Sequence, residues 1–488
     1  MKTKRFKQIA MWVGAAAWHA TAAWVWNVQS QPLRLGYDWI NPQHQYIKIK
    51  VGKTGIYRIH ASQLDLEEPV APRNLRLWYR GVEQPLFVFD ENNDGRFDGE
   101  DFFEFFGQRN DGWDDAELYR HPTSGLAAPE HQTNPFASIY TDTSAYFLML
   151  QSQRSDVFTY ASESNPDYMS YPLAQKFRED TVIFWLPGSG GSYYASGGSR
   201  DANYNFNSDF VGGEGYVGPN FNSTLNLTFP TPFKYQGNDA TAPVLTFSLV
   251  SRTKQPNHRV RVAVGSSWKE VVFQEYNLHR DTLFLTLNDI NSGPNGTGVT
   301  FSVMPGSGSP PTHVPCWLRL QYDRTFNFAG AREKAFRFEN NQNSILQLRI
   351  EGVSVQANDE FFLFDLTNKK RIRGFREGNR IFFAVPKFSG ESRFYFATSS
   401  AIRNASSGAT VEKASFANHA NPSAGAEFII VTHRAFAASA RKYADYRANN
   451  PYNRMTSKVV FMDELYDEFS YGAITPLAIK RFVWAAHQ

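Results

Sequence analysis

Hydrophobic and polar residues alternate along most of the chain, and only its last part changes to helical spacing. Residues 46–51 alternate with a period of two, turn through a short segment bounded by glycines and resume at 56–59, which predicts a β-hairpin. A second hairpin is predicted around Arg80 and Gly81. Residues 31–160 are therefore expected to form an N-terminal β domain built of hairpins.

Alternating strands return after residues 188–220, a stretch rich in glycine, serine, asparagine and tyrosine that is expected to be an exposed excursion. Residues 244–249 and 258–264 alternate in the same way, which predicts a jelly-roll-like β-sandwich over residues 161–340. A small β domain is predicted to follow at residues 341–412. The chain up to this point is thus expected to be mainly β.

From residue 413 onward the pattern predicts an α/β domain. Apolar runs at 428–432 and 459–462 predict two strands, and each is followed by apolar residues at helical spacing. A parallel sheet of two strands needs further strands to bury its faces, so residues 413–488 are expected to be the incomplete start of a domain in a longer protein. The predicted buried helix positions are Phe436, Ala440, Tyr443 and Ala444 in the first helix and Ile479, Phe482, Val483 and Ala486 in the second, which begins at Thr475 and Pro476.

Composition narrows the class of protein. The 50 lysine and arginine residues nearly balance the 47 aspartate and glutamate residues, and no basic patch stands out, so nucleic acid is not an expected partner. A basic start precedes the apolar stretch 9–26, which predicts a signal peptide over residues 1–30 and export to a bacterial cell surface or outer membrane; a single membrane anchor is the alternative. The possible cleavage positions follow Ala22, Ala23 or Ser30.

Few residues suggest catalysis. The single cysteine, Cys316, excludes an internal disulfide and is expected to be buried and structural, although His313 is close in sequence. His433 follows the first predicted parallel strand, at the edge where α/β sites form, and is expected to be a loop or helix-start residue. The acidic residues within 463–468 are expected to lie on a solvated turn of helix.

One segment has the pattern of a calcium-binding loop. Twelve residues from Asp90 to Asp101 place oxygen-bearing side chains at positions 1, 3, 5, 9 and 12 and a glycine at position 6, where the chain must turn sharply. The predicted structural Ca²⁺ site departs from the helical pattern because its flanks read as strands and its last position is not glutamate. An acidic hairpin tip held by side-chain turns is the alternative. The predicted ligands are Asp90, Asn92, Asp94, Asp98, Asp101 and the backbone carbonyl of Arg96.

Several segments resemble the gingipain-type cysteine peptidase family, and within it the PorU-like surface sortases of the type IX secretion system. The similarity is strongest in residues 427–433, 444–447, 463–472 and 476–482, and weaker pieces upstream occur in the same order as in that family. The resemblance implies a caspase-like α/β peptidase domain with a cysteine nucleophile and a histidine that handles protons. No residue of this chain matches either dyad position, so both catalytic residues are expected beyond Gln488.

The resemblance implies a cysteine endopeptidase that removes C-terminal signals from exported proteins, with those proteins and secretion components as partners. The chain by itself is then expected to be inactive. A second hypothesis, from a different class, is a non-catalytic surface protein whose β-sandwich serves adhesion or carbohydrate binding. The unfinished α/β segment favours the peptidase hypothesis, because an adhesin gains nothing from half a sheet.

Overall fold

A computed structural model describes residues 35–121, 126–150, 158–188, 190–195, 210–306, 312–341, 343–405, 408–420 and 425–487. The predicted signal peptide at residues 1–30 lies outside these ranges. In the described ranges, no helix is long and apolar enough to cross a membrane.

The first strands in chain order are β1 (Tyr46–Val51), β2 (Gly55–His60), β3 (Arg76–Tyr79), β4 (Val82–Gln84), β5 (Phe87–Phe89), β6 (Phe102–Gly107), β7 (Ser144–Met149), β8 (Ala161–Glu163), β9 (Phe177–Phe184), β10 (Ser192–Tyr194), β11 (Gly215–Val217), β12 (Thr224–Phe229), β13 (Val244–Ser251) and β14 (His258–Val264). The next are β15 (Ser267–Phe273), β16 (Leu278–Phe284), β17 (Thr297–Val303), β18 (His313–Arg324), β19 (Glu333–Asn340), β20 (Leu346–Ile350), β21 (Phe361–Asp365), β22 (Lys370–Arg373), β23 (Phe375–Glu377), β24 (Arg380–Val385), β25 (Gly390–Thr398) and β26 (Ala409–Ala414). The α/β segment consists of β27 (Phe428–Thr432), α1 (Ala437–Asn449), β28 (Ser457–Phe461), α2 (Met462–Phe469) and α3 (Leu477–His487).

The first strand belongs to a five-stranded antiparallel sheet in the order β26-β1-β7-β3-β4. The predicted hairpin at Arg80 and Gly81 is confirmed: both residues have positive φ, and β3 pairs with β4 across them. The predicted hairpin between β1 and β2 is wrong, because β2 lies in a separate sheet of order β2-β6-β5. Alternation predicted both strands but could not identify their partners, since β1 pairs with β7 and with the distant β26.

The predicted β-sandwich has one four-stranded sheet, ordered β12-β17-β14-β15, and one wall formed by part of a nine-stranded sheet. Inward-facing residues of the two sheets, among them Phe247, Val262 and Phe301, form a common buried core. Part of the predicted excursion at 188–220 is ordered as the pair β10 and β11, where Val217 is fully buried. Residues 196–209 of that stretch lie outside the described ranges.

The nine-stranded sheet crosses the predicted domain boundaries. Its order is β16-β13-β18-β9-β19-β25-β21-β22-β8, so strands on both sides of residue 340 share it, and β8 at its end follows residue 160 directly. β26 likewise crosses residue 412 to complete the N-terminal sheet. Residues 35–488 accordingly form one compact unit, in which the sheets are shared between the predicted domains.

Candidate functional site

The α/β segment has the order of elements that the sequence predicts. β27 and β28 pair in parallel, and α1 connects them. α2 begins directly after β28, and α3 begins where Thr475 Oγ1 accepts the N–H of Leu477 at 3.3 Å. Both the strand–helix order and the helix start at Thr475 are therefore confirmed.

The buried faces of these helices differ from the predicted ones. In α1 only Ala440 is buried, while Phe436 and Tyr443 stay exposed, because two strands cover little of a helix. The buried face of α3 includes Arg481 and Phe482, and Val483 is exposed. A rotation of about one residue thus places an arginine, rather than the predicted valine, toward the rest of the molecule.

His433 caps the turn that begins α1, as predicted for a helix-start residue. Its Nδ1 accepts the N–H of Ala435 at 3.1 Å, and its side chain is exposed. The next residue, Arg434, donates from Nε to Asp463 at 2.5 Å and from Nη2 to Glu464 at 2.9 Å. These bonds raise the pKa of Arg434 and join the carboxyl ends of β27 and β28, a structural role.

The acidic run is not solvated along its whole length, which corrects the sequence prediction. Asp463 is half-exposed, but Glu468 is 2% exposed, and its Oε2 accepts the N–H of His419 at 2.7 Å. Asp467 lies 2.5 Å from Lys48 Nζ, and both side chains are largely buried. Burial raises the pKa of Asp467, and Lys48 acts against that rise. The inner face of α2 thus joins the α/β segment to β1 and to the turn at His419.

A second buried ion pair joins α3 to the N-terminal region. Arg481 is 1% exposed; its Nη2 lies 2.5 Å from Asp114 Oδ1, and its Nη1 lies 3.0 Å from Oδ2. Nη1 also donates to the carbonyl of Phe469 at 2.9 Å. Burial alone would lower the pKa of Arg481, but the carboxylates of Asp114 and Glu117 reverse that effect and raise it.

The predicted calcium loop connects β5 and β6, and the predicted strand flanks are confirmed. The carboxylates bond to the loop's own backbone: Asp90 Oδ2 accepts the N–H of Gly95 at 2.9 Å, and Asp94 Oδ1 accepts that of Arg96 at 2.8 Å. The buried Asp101 accepts the N–H of Glu91 at 2.8 Å. The bond from Arg96 to Asp94 is a side-chain turn of the alternative hypothesis, and the bonds to Asp90 and Asp101 close the loop over a longer spacing.

The fit of the loop to Ca²⁺ is partial. Asp90 Oδ1 is buried without a hydrogen-bond partner, which suits a cation. However, no group of three or more histidine, cysteine, aspartate or glutamate side chains within the described ranges is placed to hold a metal. Calcium binding by Asp90, Asn92, Asp94, Arg96, Asp98 and Asp101 therefore stays a prediction.

The chain is similar to one known protein family and to one known structure. Residues 421–488 match the model of peptidase family C25. This match is confined to the α/β segment at the end of the chain. A crystal structure of dimeric latent PorU from Porphyromonas gingivalis has a TM-score of 0.54 and 13% identity, and the match covers 91% of this chain and 40% of that one. The chain therefore has the fold of the corresponding part of PorU and spans about two fifths of its length.

A second structural match is much weaker. A triple jelly roll structure from an archaeal virus matches at 8% identity over 74% of this chain and 81% of that one. Its TM-score is only 0.15. No curated protein matches the sequence.

Cys316 does not provide a nucleophile for the α/β segment. Cys316 is fully buried in the β part of the chain, and burial raises the pKa of its thiol to about 12, so it is a poor nucleophile. The predicted structural role of Cys316 is confirmed. His433 is used as a helix cap.

His313 belongs to a buried histidine pair. His258 and His313 are both fully buried, and His258 Nδ1 lies 3.1 Å from His313 Nε2. His258 Nε2 lies 3.0 Å from the carbonyl of Thr253, which can only accept, so this nitrogen carries the proton. His313 Nε2 must then donate to His258, and His313 Nδ1 is left without a partner. Burial lowers the pKa of both histidines, that of His313 to about 4.

The sequence did not indicate the residues that join the α/β segment to the β part. Lys48 lies on a regularly alternating strand, and Arg481 lies beside the predicted apolar face of its helix. A charged residue on a face predicted to be buried indicates an ion pair, because a buried charge needs a partner. Alternation does not reveal that the partners are Asp467 and Asp114, which are far away in sequence.

Proposed function

We propose that this chain is the N-terminal portion of an exported, PorU-like cysteine endopeptidase or sortase. The observation that carries the proposal is the family match of residues 421–488, at the point where a parallel strand pair packs on a β part with the fold of PorU. In this proposal the β part supports the peptidase domain, and further strands and helices cover the exposed residues Ile429, Phe436 and Tyr446.

The proposed whole protein acts at a bacterial cell surface or outer membrane after loss of a signal peptide. Its substrates are exported proteins that carry C-terminal signals, and its partners are components of the type IX secretion system. Its nucleophilic cysteine and its histidine lie beyond residue 488. The described part of the chain brings no reactive cysteine near a base, which is why we expect this chain alone to lack peptidase activity.

The test has two parts. The purified chain is incubated with a peptide reporter of a cargo C-terminal signal, with and without iodoacetamide, and a Cys316→Ser variant is the matched control. No cleavage is expected; cleavage that alkylation abolishes would overturn the placement of the dyad. In parallel, the genomic sequence downstream of codon 488 is read. Further βα units carrying a histidine and a cysteine support the proposal, and an immediate stop codon overturns it.

A further inference from the structure

The outer edge of β5 is only partly occupied. Leu86, just before β5, donates its N–H to the carbonyl of Phe158 at 3.2 Å, and its carbonyl accepts the N–H of Tyr160 at 2.8 Å. The chain then turns away, because the N–H of Ala161 bonds to the carbonyl of Lys369 instead. Backbone groups two residues apart on a strand point to the same side, so the N–H and C=O of Val88 face this edge too. Among the described residues, neither group of Val88 has a backbone partner there.

A pocket opens at this point. It has a volume of about 340 Å³, within the range of ligand-binding clefts, and lies between β5 and the segment at Thr159 and Tyr160. Its lining is mostly apolar. The lining residues are Pro72, Arg73, Phe87, Val88, Thr159 and Tyr160.

Arg73 is the charged residue of the pocket. It is exposed, and it pairs with no carboxylate among the described residues, whereas nearby Arg76 is bound to Glu83 through two hydrogen bonds. Arginine binds carboxylates well because its planar donors match them. An apolar cleft with an unpartnered arginine fits a ligand that combines an apolar side chain with a carboxylate.

We propose that this cleft binds an extended peptide that adds to the edge of β5. The peptide backbone bonds to the N–H and C=O of Val88, an apolar side chain enters the pocket, and a neighbouring carboxylate pairs with Arg73. This mode of recognition takes its affinity from main-chain bonds and its selectivity from the pocket and the charge. The site lies on the N-terminal β part, so the inference does not depend on the proposed peptidase function.

The carboxylate has two possible sources, a chain terminus or an acidic side chain. Binding of three labelled peptides to the full chain distinguishes them by fluorescence polarisation: Ac-Val-Thr-Val-Thr-Leu with a free terminus, the same peptide as an amide, and the amide Ac-Val-Thr-Leu-Asp-Val-NH₂. We expect at least one carboxylate peptide to bind about three- to tenfold more tightly than the neutral amide, as one exposed charge-assisted contact allows. Equal binding of all three, or no binding, overturns the proposal.

Two variants test the two halves of the site. Arg73→Gln should remove the preference for the carboxylate peptide, while Arg376→Gln, an exposed arginine in another sheet, should not change it. Val88→Pro removes the edge donor, and proline is tolerated on strand edges, so binding of every peptide should fall.

Hydrogen exchange in the unmutated chain gives a second readout, which does not depend on whether Val88→Pro folds. In the unmutated chain, the bound peptide should slow exchange at the Val88 amide. Unchanged exchange at Val88, or an unchanged preference in Arg73→Gln, overturns the assignment.

Discussion

The guanidinium of Arg481 and the carboxylate of Asp114 form a two-pronged ion pair that joins the last helix of the chain to a turn in its first quarter. Both residues are buried, Arg481 to 1% and Asp114 to 4% exposure. Removal of Arg481 would leave the carboxylate of Asp114 uncompensated where water cannot reach it, whereas removal of Asp114 would leave Arg481 with Glu117 alone, at 3.0 Å. This ion pair therefore joins the α/β segment to the β part of the chain.

We expect Arg481→Ala to destabilise the chain by about 3–5 kcal/mol, the typical loss when one member of a buried pair is removed. Arg481→Lys keeps the charge but loses the fork of two hydrogen bonds, so its loss should be smaller, about 1–3 kcal/mol. Urea unfolding of the full chain measures both. The neighbouring exposed residue provides the control Lys480→Ala, which should stay close to the unmutated chain. Equal stability of Arg481→Ala and the control would contradict the prediction.

Loss of the second buried ion pair, between Lys48 and Asp467, should make the stability of the chain depend on pH. Burial already raises the pKa of Asp467, and loss of Lys48 raises it further. A carboxyl group whose pKa is higher in the folded state stabilises folding at low pH and loses that contribution as the pH rises through the folded value. Lys48→Met should therefore lower the free energy of unfolding by roughly 3 kcal/mol at pH 8 and by less at pH 5.

Lys50 offers the matched control for this measurement. It lies on the same strand, its ion pair with Glu412 is more exposed, and it lowers the pKa of Asp467 less than Lys48 does. Lys50→Met should lower the free energy of unfolding by less than about 1 kcal/mol at either pH. A Lys48→Met deficit that is the same at pH 5 and pH 8 would mean that Asp467 does not carry the effect.

The sequence predicts local structure here better than it predicts pairing. Alternation is a local signal, and it correctly predicts β1, β3 and β14 as strands. It cannot predict that β1 pairs with β26, because the two strands are separated by most of the chain. The proposed division into domains depends on local composition, whereas the nine-stranded sheet is assembled from strands distant in sequence.

The same reasoning applies to the candidate site. Thr475 and His433 act through neighbouring backbone groups, so sequence places them correctly as helix-start residues. The burial of Glu468 depends instead on the turn at His419, which donates its N–H to the carboxylate from outside the helix. From sequence alone, an acidic run on a short helix indicates solvent exposure, because a contact with a residue outside the helix is not visible in the pattern.

The buried histidine pair should make the β-sandwich sensitive to acid. Because the pKa of His313 is lowered from 6.5 to about 4, its contribution to stability is complete above pH 6.5 and is lost as the pH falls toward 4. His313→Gln can still donate to His258 but cannot be protonated in this range. Urea unfolding between pH 7.5 and 4.5 should show a shallower loss of stability in this variant.

His487→Gln is the control for the histidine pair, since His487 is exposed in the last turn of α3. Its pH profile should match that of the unmutated chain. If His313→Gln also follows that profile, the acid sensitivity arises from other groups.

The predicted calcium loop can be tested by its effect on stability. A ligand that binds only the folded state stabilises it by an amount that grows with the logarithm of the ligand concentration above the Kd, so millimolar Ca²⁺ should raise the melting temperature of the full chain. The full chain is the right sample, because β26 completes the sheet of the N-terminal region. Asp94→Ala removes a predicted ligand and should abolish the increase, while Glu91→Gln, at a position of the loop predicted to bind no metal, should retain it. The carboxylates of Asp90, Asp94 and Asp101 already accept hydrogen bonds from the loop's own backbone. If Ca²⁺ leaves the melting curve unchanged, these three residues serve only to shape the loop.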